Sequence, residues 1–213
     1  LLRFLVFLAL ISAFLFVVTL ARAEIDGDRW RGQSLYEAWG CVACHGRDGL
    51  AEDPDAPHLA GQQRNYMFNQ LVNFRKRRPS GRLGEKVSER HHQGMAAQTE
   101  RMRDSDISDI VAFLNRLPCS PGSGVEPISR PGAAAKCDLC HGINGRSPFV
   151  AIPVITGQKE TYIAQQLYDF RAAAADFWGD NVRSHRFVLA AKMDLTDAEI
   201  AATAGYYSQL SCR

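Results

Sequence analysis

Apolar residues recur at helical spacing along most of this chain, and almost nowhere do apolar and polar residues alternate as a half-buried strand requires. Trp30 to Trp39 carries Leu35, Tyr36 and Trp39 on one side, which predicts a short amphipathic helix. Tyr66, Gln70, Leu71 and Phe74 predict a second helix over 66–74. Asp104 to Leu117 opens on an acidic turn, which suits the positive end of a helix dipole. It then places Ile107, Ile110, Val111 and Leu114 on one face. A last helix is expected over Leu195 to Leu210. Between these, Gly46 to Asp55 is polar and turn-like, and Pro57 to Gln62 forms a loop. Pro79, Gly81 and Gly84 interrupt the basic stretch 75–90.

The pattern repeats. Cys137, Pro153, Gly157-Gln158, Tyr162, Gln166-Leu167 and Phe170 match Cys41, Pro57, Gly61-Gln62, Tyr66, Gln70-Leu71 and Phe74, each 96 residues later. A deletion of three residues then changes the offset to 93. Asp106, Ile107, Phe113 and Cys119 thereafter match Glu199, Ile200, Tyr206 and Cys212. This is an internal duplication. Between the copies, residues 118–131 hold four prolines and read as an interdomain linker. The fold class expected is all-α, with one small helical domain over residues 24–117 and a second over 132–213.

Residues 1–23 do not belong to that pattern. Arg3 precedes the apolar run Phe4 to Leu20, and Ala21-Arg22-Ala23 supplies small residues at a cleavage site. This reads as a secretory signal. A retained anchor is the rival reading, because the run is only just short of a spanning helix. Beyond residue 23 there are 23 Lys+Arg against 23 Asp+Glu. That balance gives no support to a nucleic-acid role. Six cysteines in an exported chain would ordinarily indicate disulfides.

Four of the six serve something else. Cys41-Val42-Ala43-Cys44-His45 and Cys137-Asp138-Leu139-Cys140-His141 are both C-x-x-C-H, the pattern of covalent c-type haem attachment. The thiols of Cys41, Cys44, Cys137 and Cys140 would add across haem vinyl groups. His45 and His141 would take the irons from the proximal side. Two covalently bound haems would also supply apolar core to domains of modest size.

With these motifs the chain resembles the tandem dihaem cytochromes c of the c4 type, built from two class I cytochrome c domains. The likeness covers about residues 30–117 and 132–211. It rests on the haem motifs, the Pro57 to Gln62 loop, the helix with Tyr66, Gln70, Leu71 and Phe74, and the terminal helix with Asp106, Ile107 and Phe113. It implies an exported, periplasmic carrier, often held at the membrane surface. Such a carrier passes electrons from a quinol-oxidising complex or dehydrogenase to a terminal oxidase or reductase. It further implies that the loop at Pro57 and at Pro153 accepts a hydrogen bond from each proximal histidine.

The resemblance implies a distal Met upstream of the terminal helix. Met95 falls there in domain 1, seven residues before Met102, with His91 and His92 as rivals. Met and His together raise an iron's potential relative to two nitrogens. Met102 is expected in the core. In domain 2 the matching position is Val188, which cannot bind iron. His185 is the distal ligand expected there, with Met193 the alternative and Lys192 a weaker one.

Two features lie outside the haem motifs. Cys119 and Cys212 end matching helices, and are either bridged across a pseudo-two-fold axis or left as two separate thiols. Arg75-Lys76-Arg77-Arg78 is a dense basic run whose counterpart, Arg171 followed by alanines, is nearly uncharged. It is expected to dock an acidic redox partner or the anionic membrane surface. A haem lacking a firm Met would permit an enzyme, a peroxidase or sulfur-compound oxidase, as the second function class. A cytochrome subunit of a larger dehydrogenase is a third. No cluster of polar residues around Val188 suggests a substrate site, so a carrier is the leading expectation.

Overall fold

The computed structural model describes residues 25–76, 90–122, 129–174, 182–183 and 194–212. The segment 1–23, expected to be a leader, lies outside the described residues, as do Arg77, Arg78, His185, Val188, Lys192 and Met193. No helix among the described residues is long and apolar enough to cross a membrane.

In the first copy, α1 (Arg29–Ala38) leads into α2 (Val42–His45), then α3 (Arg64–Arg75), β1 (Arg90–His91), α4 (Gln93–Thr99) and α5 (Asp104–Arg116). In the second, a 3₁₀ turn (Gly132–Ala134) leads into α6 (Ala135–His141), then α7 (Glu160–Ala174), β2 (Val182–Arg183) and α8 (Asp197–Gln209). The molecule is all-α, as its periodicity predicts, apart from the two-residue strands.

Helix α5 is the spine of the first domain. Ile107, Ile110, Val111 and Leu114 are all buried, and they cluster with Tyr36, Met67 and Met102. Asp28 caps α1 by accepting the amides of Trp30 and Arg31. Helix α1 then crosses α5 so closely that Gly32 is required. A Cβ there would lie 1.9 Å from the Asp109 carbonyl oxygen. Arg31 fastens the crossing through ion pairs to Asp106 and Asp109. Tyr36 donates its hydroxyl to the Gly46 carbonyl at 2.7 Å, tying α1 to the first haem motif.

Among the described residues the second domain has no full counterpart of α1. Small residues Ala133 and Ala134 pack against Ile200 and Ala204 of α8 instead. Tyr207, at the position matching Leu114, provides the large buried aromatic there. Thr196 and Glu199 form a reciprocal cap at the start of α8, each side chain accepting the other's backbone amide. Arg103 and Asp106 occupy the same register on α5.

Matched arginines hold both terminal helices. Arg75 donates to the Met102 carbonyl at 2.6 Å and pairs with Asp104. Arg171 donates to the Leu195 carbonyl at 2.8 Å and pairs with Asp197 at 2.7 Å. Arg75, expected in a docking patch, is thus engaged within the first domain. Its guanidinium is turned onto α5 and committed there. Lys76, in the same run, donates to Asn73 at 2.8 Å and remains exposed.

The copies meet about a pseudo-two-fold axis. Gln62 donates to the Val154 carbonyl and accepts the Val154 amide, both at 2.8 Å. Its partner Gln158 donates to the His58 carbonyl at 2.9 Å and accepts the His58 amide at 2.8 Å. The two glutamines are repeat equivalents, and so are His58 and Val154. β1 and β2 pair antiparallel with Arg90 opposite Arg183, again repeat equivalents. Cys119 and Cys212 form a disulfide with Cα atoms 6.1 Å apart, which settles the alternative the sequence leaves open. The Cys212 amide also donates to the Ser120 carbonyl at 3.3 Å, so the first residues after α5 pack as part of the seam.

Candidate haem sites and the seam between them

Each C-x-x-C-H motif sits on a short helix, α2 or the end of α6. There the two cysteines lie on neighbouring turns and the histidine follows at once. The chain must leave the helix immediately after the histidine. Gly46 and Gly142 do this with φ of 74° in both copies, a backbone conformation that glycine adopts at no cost. Cys41 and Cys137 are half-buried, and Cys44 and Cys140 are exposed.

The histidine rings are held alike. His45 Nδ1–H donates to the Pro57 carbonyl at 3.0 Å, and His141 Nδ1–H donates to the Pro153 carbonyl at 3.0 Å. With Nδ1 engaged, the other ring nitrogen carries the available lone pair. His45 is buried, and burial lowers its pKa more than the Pro57 bond raises it. That shift favours the neutral ring an iron ligand needs. Burial pushes the Cys41 thiol up to about 11 and raises Cys137 as well. None of the four motif cysteines is in a disulfide, whereas the other two pair with each other. Four thiols outside any disulfide and two imidazoles oriented alike are a donor set that fits two covalently attached haems.

The distal candidates are placed as follows. Met95 is half-buried on α4, which packs against α3. His92 is exposed at the N-cap of α4, where its Nδ1 accepts the Met95 amide at 3.3 Å. His91 lies in β1 opposite Val182. Met102 is buried in the core. His58 accepts the Ala51 amide at 2.9 Å within its loop, and burial lowers its pKa.

Between the two motifs lies a residue that pattern reading passes over. The Arg90 guanidinium donates to Gln70 at 2.8 Å and Gln166 at 3.3 Å, and to the hydroxyls of Tyr66 at 3.4 Å and of Tyr162. It also lies over the Phe74 ring, 4.6 Å from its centroid. Tyr66 and Tyr162 match in the duplication, as do Gln70 and Gln166. Those matches were visible as repeats. Nothing in the repeats indicates that the pairs face one another.

This fold and these paired sites define a two-domain c-type cytochrome with two covalently bound haem c groups. The family model for cytochrome c matches residues 30–118. Cytochrome c4 of Azotobacter vinelandii is 31% identical over 217 residues, covering 95% of this chain and 98% of the relative. The crystal structure of reduced recombinant cytochrome c4 from Pseudomonas stutzeri superposes with a TM-score of 0.68 at 26% identity. It covers 87% of this chain and 100% of that one. A thiosulfate dehydrogenase electron acceptor of Stutzerimonas stutzeri (strain A1501) is 27% identical over 195 residues, 84% of this chain and 86% of the relative. The chain belongs to the cytochrome c4 family. It is a periplasmic dihaem electron-transfer protein that shuttles electrons between redox partners.

Proposed function

We propose that Cys41, Cys44 and His45 hold one haem and Cys137, Cys140 and His141 the other. Met95 completes the first iron and His185 the second, with His92 and Met193 as the competing ligands. The observation that carries the reading is the repeated histidine–carbonyl bond, 3.0 Å at both motifs. Each haem supplies an iron that cycles between ferric and ferrous states. The protein holds the rings, excludes water from the His45 side and keeps the two halves in register. A Met-ligated centre in domain 1 and a bis-His centre in domain 2 would differ in potential, with domain 1 the higher. Electrons would then enter and leave through different halves.

The donor fitting this arrangement is a quinol-oxidising complex or a dehydrogenase, and the acceptor a terminal oxidase or reductase. The similarity to a thiosulfate dehydrogenase electron acceptor favours a second reading, in which the donor is a dehydrogenase for a sulfur compound. Acidic partners would dock near the run Arg75, Lys76, Arg77 and Arg78, with Arg75 itself partly taken up by α5. The domains themselves are proposed as 24–117 and 132–213, joined by 118–131 and preceded by a leader over 1–23.

The ligand assignment is tested by optical and EPR spectra of the ferric holoprotein. Met95→Leu should abolish the weak red-edge band of a Met-ligated haem, and His92→Ala should leave it intact. Survival of that band at full wild-type intensity in Met95→Leu would remove Met95 as ligand. His185→Ala should convert a low-spin centre to an open one that binds carbon monoxide. Retention of the wild-type spectrum would instead assign Met193.

A further inference from the structure

One arginine crosses the seam where each domain presents the same pair of side chains. Arg90 belongs to the first copy, and it bonds Tyr66 and Gln70 of that copy and Tyr162 and Gln166 of the other. A planar guanidinium has five donors in a fixed fork, so it can satisfy acceptors from two bodies only in one relative orientation. The residue is half-buried overall, but its guanidinium is desolvated at the seam. Burial alone would lower its pKa. The facing Tyr162 and Tyr66 hydroxyls outweigh that and leave it raised, so the charge is permanent. β1 holds its backbone in place by pairing Arg90 with Arg183.

We propose that Arg90 is a positioning residue for electron exchange between the two halves: a fixed cation on the domain axis that sets the docking of the copies and raises the potential of the neighbouring haem. Two physical effects are separable here. The fork fixes geometry, and electron exchange between two centres depends steeply on their separation and orientation. The charge acts through space. A desolvated positive charge disfavours adding another to a nearby iron, so it favours the ferrous state. The inference rests on His45 and His141 as the ligands that place the two irons on either side of the seam.

The test uses the holoprotein with Arg90→Gln and Arg90→Lys. Both variants and the wild type are first counted for covalently bound haem, which tests the ligand reading separately. Two readouts follow: the two midpoint potentials from a redox titration, and the rate of electron transfer between the haems after rapid one-electron reduction. Arg90→Gln removes the charge and the fork, so at least one midpoint falls and the interhaem rate drops tenfold or more. Arg90→Lys keeps the charge but not the fork, so its midpoints stay at the wild-type values while the rate still drops. A merely structural arginine would lower the melting temperature in both variants and leave the midpoints unmoved. Unchanged midpoints in Arg90→Gln, or an interhaem rate in Arg90→Lys within twofold of wild type, overturns the proposal.

Discussion

Single side chains divide into those that touch the haem motifs and those that hold the frame around them. Arg75 shows how the two are confused. It opens the most basic run of the chain, yet it donates to Met102 O and pairs with Asp104, as Arg171 does with Leu195 O and Asp197. Its work is to fasten the start of a terminal helix. Arg75→Gln should therefore cost about 1.5–3 kcal/mol of stability, the range for a hydrogen bond to a charged group. It should leave the salt dependence of electron transfer unchanged. Replacing Arg77 and Arg78 with Gln should do the reverse, flattening the salt slope with little change in melting temperature. Denaturant melts and stopped-flow reduction at several ionic strengths separate the two, and a shallower slope in Arg75→Gln would return that residue to the docking surface.

Helix α5 is where local chemistry and tertiary packing agree most closely. Its apolar face was legible from Ile107, Ile110, Val111 and Leu114, and all four are buried. Its acidic first turn was legible too, but not what that turn meets. Asp106 is reached by Arg103 from its own cap and by Arg31 from α1. The Arg103 bond is the largest influence and holds its carboxyl well below the usual 3.8; burial opposes it, and the Arg31 bond adds to the lowering. A carboxyl whose proton is held less tightly folded than unfolded stabilises the fold fully above the ordinary range. That contribution is lost as pH falls through the folded value. Stability of the first domain should accordingly fall as pH drops below about 4, and Asp106→Asn should flatten that acid limb while lowering stability at neutral pH. Urea melts between pH 2 and pH 7 are the measurement. An acid limb of unchanged slope in Asp106→Asn would assign it to other carboxylates.

At the scale of the whole molecule, the duplication was legible and its geometry was not. The offsets of 96 and 93 identified Gln62 with Gln158 and Tyr66 with Tyr162 as repeats. Repetition alone does not say whether equivalent residues face each other or point apart. That depends on how two folded bodies dock, which is a long-range property. The same limit applies to β1 and β2, too short to leave an alternating pattern, and to Arg90, a lone residue at the end of a basic stretch. Cys119 and Cys212 were the nearest thing to a long-range signal, since matched cysteines at helix ends can meet only across a two-fold arrangement. They close a separation of 93 residues. Replacing both with Ser should cost about 2–4 kcal/mol. With the bridge gone, thermal unfolding should broaden or split into two steps. A single sharp transition at the wild-type temperature would show that the bridge contributes nothing to docking.

The central claim is that one porphyrin iron is attached to each half, at Cys41, Cys44 and His45 and at Cys137, Cys140 and His141. Intact mass under denaturing conditions, on protein matured in a host competent for haem attachment, tests it most directly. The account predicts two haems per chain, one after Cys41→Ser with Cys44→Ser, and one after Cys137→Ser with Cys140→Ser. A wild-type chain carrying fewer than two, or a second haem retained after either pair is replaced, would contradict it.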